Sequence, residues 1–367
     1  MAGIVRPVVN GLNSTETARA WVDVDLGALV ANARTLESVT GTRLLPMVKA
    51  NAYGLGAVAV ARALEAIEPW GYGVATVEEG EALRSAGIHR PILVCTPFTQ
   101  GQAERYLALD LRPVIGDIEA LRAWRHATTR PFHVELDTGM GRAGVRVDAP
   151  GLLAALKAEL ATAPGWEGVM THFHSADENP ASVETQWRRF MAAVAALPRQ
   201  PVLVHAANSA AALFGRTYAG DLVRPGIFLY GGNVGTPSPR PVVALQARVV
   251  ALRTIRAGDT VGYGATWTAS GETLIATLAA GYADGIPCSL GAGGAVELNG
   301  RIVPIAGRVS MDMTTVALPP GGARLGDVAT VFGGLVSLDA QARRAGTISY
   351  ELLAGLGGRL PRRYLSR

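Results

Sequence analysis

The sequence predicts an α/β chain in which a (β/α)8 barrel is followed by a mainly antiparallel β domain. Three observations carry this. Short apolar runs alternate with amphipathic stretches from about residue 21 onward. The texture changes after Gly235, at a Thr-Pro-Ser-Pro-Arg-Pro stretch spanning 236–241. Beyond it, alternating runs are separated by glycine-rich turns, with almost no long helical pattern.

The apolar runs lie at 21–24, 44–48, 71–75, 92–95, 112–115, 132–136, 168–172, 202–205 and 222–224. Helical patterns fill the gaps, at 27–36, 57–67, 77–86, 101–109, 118–127, 152–161 and 181–197. A repeated switch from a period near 2 to one near 3.6 marks consecutive βα units and a parallel sheet. Nine such runs suit an eight-stranded barrel with one extra or entry strand. A doubly wound open sheet is the alternative that alternation alone leaves open. Runs at 242–252, 273–279, 295–298, 302–305, 314–318 and 328–332 give the β domain, closed by a short helix near 350–356. The expected domains are therefore 1–235 and 236–367.

Composition narrows the class of function. The 367 residues suit about two domains, and with 49% hydrophobic against 17% charged residues they bury ample cores. The net charge of +4 is spread along the chain, so no basic stripe offers itself to nucleic acid or a membrane surface. The one basic cluster, at 359–367, reads as a solvated end. Neither a secretory leader nor a membrane-spanning stretch is evident, and a cytoplasmic location is expected. Cys95 and Cys288 make neither a disulfide framework nor a zinc site, no metal is expected, and both are read as small buried side chains.

In parallel β/α folds the reacting groups gather in loops at the carboxyl ends of strands. Those ends here supply Lys49, Asn51 and Tyr53, then Asp137 to Arg142, then His172, then Asn208 and Ser209, then Arg224, Gly226 and Ile227. Lys49, one of only two lysines, directly follows an apolar run. Burial disfavours the charged form of such an amine and frees it as a nucleophile. Asn208-Ser209 opens a helical pattern and Gly226 allows close backbone approach, which together suit a phosphate group. Taken singly, Arg142, Arg224 and His172 could each be a surface charge or a structural histidine. Their convergence on one barrel mouth is what points to a site.

Several segments resemble alanine racemase: KANAYGLG at 49–56, DTGMGRAG at 137–144, Asn208-Ser209, Arg224-Pro225-Gly226-Ile227 and GYGAT at 262–266. GYADG at 281–285, Ser310-Met311-Asp312 and Ser349-Tyr350 extend the likeness. The resemblance implies a pyridoxal 5'-phosphate enzyme, a homodimer with sites shared between subunits, that makes D-alanine as a cell-wall precursor. It implies that Lys49 holds the cofactor as a Schiff base and is one base, with Tyr263 of the partner subunit as the other. Tyr53, Ser209, Gly226, Ile227 and Tyr350 would hold the phosphate, with Asn208 close by. Arg224 would meet the pyridine nitrogen, and His172 would lie by the ring and couple Tyr263 to Arg224. Arg142 would bind near the cofactor's phenolic oxygen and the substrate carboxylate, Met311 of the partner subunit would contribute to the carboxylate site, and Tyr282 would narrow the entrance.

Racemisation needs a base on each face of the reacting carbon, and a lysine amine with a tyrosine phenolate meets that need. A phenol with an ordinary pKa of about 10 requires cationic or hydrogen-bonding neighbours to act so, and Arg142 and His172 are the candidates. The sequence departs from the family at Glu135, where many members carry a lysine that is often carbamylated. A fixed carboxylate there could orient Arg142 without bicarbonate, although its shorter side chain puts contact in doubt. Two further readings stay open: a racemase for serine or a broader set of amino acids, and a non-catalytic pyridoxal-phosphate carrier. The second is disfavoured by a β domain bearing Tyr263, since a carrier has no need of a second base.

Overall fold

The computed structural model describes residues 17–198, 201 and 203–366. Val202, the ends of the basic cluster and of the chain at 367, and the first sixteen residues read for a leader lie outside the described residues. The chain divides into two compact units, Asp25–Val242 and a second formed by Val243–Leu365 with the described residues up to Val24.

The strands in chain order begin with β1 (Ala20–Asp25), β2 (Arg43–Leu44), β3 (Tyr72–Val74), β4 (Ile92–Pro97) and β5 (Leu111–Ile115). Next come β6 (Phe132–Asp137), β7 (Val145–Arg146), β8 (Trp166–Met170), β9 (Leu203–His205) and β10 (Leu222–Val223). Strands β3, β4, β5, β6, β8 and β9 are parallel neighbours in that order, and β10 pairs in parallel with β2. The ring closes at two joints. Met47 bridges Gly73 in parallel beyond the end of β2. On the other side the Asp221 and Arg224 amides donate to the Val204 and Ala207 carbonyls at 2.7 and 2.8 Å. Eight parallel strands thus make the barrel expected from the sequence.

Local signals explain the helices between them. Asp25 caps Leu26–Thr40 through the Ala28 amide at 2.9 Å, and Asp117 caps Ile118–Ala127 through Ala120 at 2.7 Å. Pro150 and Pro180 open Pro150–Leu160 and Pro180–Ala195, where a missing N–H costs nothing. The barrel interior has an apolar layer of Leu45, Leu93, Val114 and Met170, with Trp70 and Cys95 packed against it. The same interior also holds buried His133, Glu135, His205 and Arg224. Such a polar interior needs partners for every charge.

The second unit contains β11 (Val243–Ile255), β12 (Thr260–Val261), β13 (Trp267–Thr268), β14 (Thr273–Leu278) and β15 (Ala295–Leu298). It continues with β16 (Arg301–Pro304), β17 (Thr314–Leu318), β18 (Val328–Phe332) and β19 (Arg362–Leu365). The long β11 organises the sheet, pairing antiparallel with β1 and β18 along its first half and with β14 along its second. The run at 21–24, which the expected boundary places with the barrel, is therefore a strand of this sheet. An apolar run alone does not say which sheet receives it. Side chains distant in sequence add to that pairing: the Arg248 and Arg363 guanidiniums approach the Trp21 ring at 5.1 and 5.5 Å, and Arg363 also donates to Asp23 at 2.5 and 2.8 Å. The cysteine expectation also changes. Cys95 is half-buried and Cys288 exposed, because Cys288 opens a short turn rather than entering a strand.

Asp284 is the most deeply buried carboxylate among the described residues of this unit. It is fully enclosed and accepts from Arg19 at 2.7 Å, from Arg359 at 2.8 Å and from the Gly281 amide at 3.0 Å. Burial raises its pKa, but these donors win and hold it below the usual carboxylate range. Its contribution is thus complete above the unfolded value of about 3.9 and is lost as pH falls through the lower folded value. Asp284→Asn should lower stability by about 1.5–3 kcal/mol near neutral pH, with the deficit shrinking in acid. Denaturant titrations at several pH values check both the size and the sign.

Candidate active site

The barrel's strand ends bring most of the expected residues together. Lys49 follows the buried Val48 at the end of the extended segment begun by β2, and is itself half-buried. The chain then turns left-handed: Ala50, Asn51, Ala52 and Tyr53 have φ of 51, 54, 53 and 54°. This reverses the chain in one turn and buries Tyr53, whose ring packs on Tyr230 with centroids 4.7 Å apart. The Tyr53 hydroxyl lies against Gly226, where an added Cβ would come within 2.3 Å of it. Ser209 completes this corner. Its Oγ accepts from the Gly226 amide at 2.9 Å and the Phe228 amide at 3.3 Å, so its own proton remains to be donated. Asn208 instead caps the short helix Ser209–Ala212 through the Ala211 amide at 3.0 Å, and Ile227 is buried beside Gly226.

Arg224 crosses the centre of the barrel and is 4% exposed. One terminal nitrogen meets His205 Nδ1 at 2.9 Å. The other reaches the Thr171 carbonyl at 2.7 Å, the Ala206 carbonyl at 2.9 Å and His172 Nδ1 at 3.4 Å. Its Nε–H has no acceptor among the described residues. Guanidinium only donates, so His205 Nδ1 must accept, which sets the tautomers onward. His205 Nε2–H donates to His133 Nδ1 at 2.8 Å, and His133 Nε2–H donates to Glu167 at 3.2 Å. Glu167 is closed off by Arg112 at 2.9 Å. Burial and the positive charge of Arg224 push His205 well down, and burial lowers His133, so both rings stay neutral. Glu167 is pulled up by burial and, more strongly, down by its bonds to His133 and Arg112.

His172 follows the same logic. Burial first, then Arg224, Arg142 and Lys49, bring its pKa down to about 3. It is therefore not the cationic neighbour considered for a phenolate. With Nδ1 accepting from Arg224, its proton sits on Nε2, which makes it a neutral donor.

Arg142 stands apart, exposed on the glycine-rich loop after β6. Asp137 shapes that loop by accepting from the Gly139 and Gly141 amides at 2.9 and 3.1 Å. Arg142 lines a cavity of about 530 Å³ with Asp137, Arg146, Asp148 and Arg189. Glu135 is buried beneath it, 5% exposed, with burial raising its pKa against the pull of Arg224 and Arg142. Among the described residues it makes no ion pair with Arg142, so the shorter side chain indeed falls short of contact.

Tyr263, Tyr282, Met311 and Tyr350 belong to the second unit. Tyr263 is 71% exposed on a turn opened by Gly262 at φ 76°, and Tyr282 and Met311 are also exposed. The last two ride on adjoining loops, since the Tyr282 amide donates to the Ser310 carbonyl at 2.9 Å and Ala283 to Met311 at 3.0 Å. Tyr350 is half-buried in the helix Ser349–Ala354.

Residues 24–234 match the family described as alanine racemase, N-terminal domain, and residues 242–364 match alanine racemase, C-terminal domain. The chain belongs to the alanine racemase family. The alanine racemase of Acidiphilium cryptum is 40% identical over 92% of this chain and 97% of its own length. That of Deinococcus radiodurans is 40% identical over 94% of this chain and 99% of its own. Among solved structures, the alanine racemase of Bartonella henselae with covalently bound pyridoxal phosphate superposes with a TM-score of 0.88 at 30% identity. That match covers 95% of this chain and all of the other.

The arginine-centred cluster also includes His133, Glu167 and Gln186, which the sequence pattern does not single out. Gln186 donates to Thr138 at 3.2 Å and to the His172 carbonyl at 3.0 Å, tying the loop after β6 to the end of β8. Only its place on the inner face of a helix signals this. With a pKa of about 3, the His172 imidazole should stay neutral between about pH 5 and 9. Nitrogen-15 spectra of the histidines check this, and a charged His172 signal in that range would contradict the tautomer chain.

Proposed function

We propose that this chain interconverts L- and D-alanine, with pyridoxal 5'-phosphate bound at the barrel mouth and Lys49 and Tyr263 as the two bases. The observation that carries the reading is the convergence of Lys49, Tyr53, Ser209, Gly226 and Arg224 in one barrel. The corner where Tyr53 meets Gly226, with a serine proton left to give, fits a phosphate. The Arg224 Nε–H, left over in an otherwise satisfied guanidinium, fits a ring nitrogen acceptor.

The cofactor, when bound, withdraws electrons from the substrate's Cα–H bond. The side chains do the rest. The Lys49 amine exchanges a proton with Cα on one face and the Tyr263 phenol exchanges one on the other, so a proton leaves one side as another arrives. Arg224 offers a proton that it does not give up, and so binds a ring nitrogen without charging it. The neutral His172 offers Nε2–H as a hydrogen bond to a phenolate oxygen. Arg142, its charge unpaired by Glu135, binds the substrate carboxylate, with the partner's Met311 contributing to that site and Tyr282 narrowing the approach. Tyr350 adds a hydroxyl for the phosphate.

A tyrosine that serves as a base is poorly placed at 71% exposure unless something covers it. We infer that a second copy of the chain does so, presenting Lys49 to the partner's Tyr263. We also infer that the reaction runs in the cytoplasm and supplies D-alanine for peptidoglycan. Among the described residues no helix is long and apolar enough to cross a membrane.

Chiral analysis of L-alanine and L-serine after incubation tests the substrate; D-serine formed faster than D-alanine would shift the assignment. Tyr263→Phe should keep the cofactor's visible absorbance and lose at least about a hundredfold in turnover. Mixing refolded Lys49→Ala and Tyr263→Phe chains should restore about a quarter of wild-type activity, because half the dimers then carry one intact shared site. An inactive mixture would refute sharing. Gly226→Ala should displace the Tyr53 hydroxyl and weaken pyridoxal-phosphate binding by about 1–3 kcal/mol, as read by cofactor titration.

A further inference from the structure

The turn after Lys49 is held in a conformation that its residues resist. Ala50, Asn51 and Ala52 have φ/ψ near 51/46, 54/47 and 53/53°, and Tyr53 follows at φ 54°. Left-handed backbone crowds Cβ against the next carbonyl in each of these residues, and none is glycine. Such a segment persists only where surrounding contacts over-determine it. Two internal bonds help, from the Ala52 amide to Val48 and from the Gly54 amide to Ala50, both 2.8 Å. They do not choose the hand, since a right-handed turn has equivalents.

The external contacts do choose it. Glu79, on the helix after β3, accepts the Ala50 amide on Oε1 at 2.6 Å. Its Oε2 accepts the Ala75 amide at 2.7 Å and the Thr76 amide at 3.3 Å. Asn51 Oδ1 adds a second tie, accepting the Ala57 amide at 2.9 Å. Glu79 could be read as a helix cap alone, because with Thr76 it forms a capping box. That role uses only one oxygen. The other leaves the box and takes the amide directly after Lys49, in charge-assisted geometry.

We propose that Glu79 is a positioning residue for Lys49: its carboxylate clamps the strained left-handed turn and thereby aims the amine into the barrel mouth. The inference rests on the reading of Lys49 as the cofactor lysine. The donors to the Glu79 carboxylate are all backbone amides, and no other carboxylate bonds to it among the described residues.

The test uses purified holoenzyme and pyridoxal phosphate itself. Borohydride reduction followed by peptide mapping first establishes label on Lys49 in the wild type. Glu79→Ala should then release the cofactor roughly tenfold more readily on dialysis, with label at Lys49 reduced in proportion. Thr76→Ala, which breaks the capping box but leaves the Ala50 bond, should retain cofactor like the wild type. Adding Ala50→Gly to Glu79→Ala should recover most of the loss, since glycine enters the left-handed region without the penalty. Should Glu79→Ala not fold, Glu79→Gln carries the same comparison, with an amide able to serve only one of the two loops. Unlabelled Lys49 in the wild type overturns the lysine assignment itself. Labelled Lys49 with unchanged retention in the Glu79 variants, or equal loss in Thr76→Ala, overturns the clamp alone.

Discussion

A guanidinium sealed inside a barrel is the constraint around which this structure is arranged. Arg224 carries a charge that cannot be shed, in a place where water is scarce. Each acceptor it finds fixes something else. The Thr171 and Ala206 carbonyls hold the ends of β8 and β9 in place. His205 is forced into one tautomer, which forces His133, which ends on Glu167. The histidines stay neutral because burial disfavours their charged forms, with the charge of Arg224 adding to it. The cost of burying one arginine thus produces a line of oriented dipoles leading from the site toward the barrel's other end.

The same logic separates what could be read in the sequence from what could not. Strand ends were legible because period and apolar runs locate them, and a parallel barrel aims whatever follows each strand at one mouth. Eight of the nine runs fall on barrel strands for that reason. The ninth, β1, carries the same apolar signal yet pairs with β11, because long-range pairing leaves no mark on local pattern. Lys49, Ser209 and Arg224 were visible through motif. His133 and Glu167 were not, since a histidine within a strand and a glutamate at a strand start look like ordinary filler until the fold places them beside an arginine. The turn at 50–53 was invisible for the opposite reason: alanine, asparagine and tyrosine advertise no left-handed backbone.

Glu135 shows how position and partner can part company. It occupies the place expected of an anion near Arg142, and it feels both arginines. Yet it bonds to neither among the described residues, and burial works against its charge. Its reach, not its sign, is what a shorter side chain changes. Arg142 is left exposed on a loop shaped by Asp137 and glycines.

The pairing of β1 with β11 also has a temporal side. Ribosomes deliver β1 before the barrel and β11 only after the whole barrel has been made, a wait on the order of ten seconds or more at ordinary elongation rates. Throughout that interval the apolar Trp21, Val22 and Val24 lack the β11 pairing of the folded protein, and such an unpaired segment is a seed for pairing with a neighbouring nascent chain. Pairing within the β unit therefore begins only once the barrel has emerged, when β11 reaches the waiting β1.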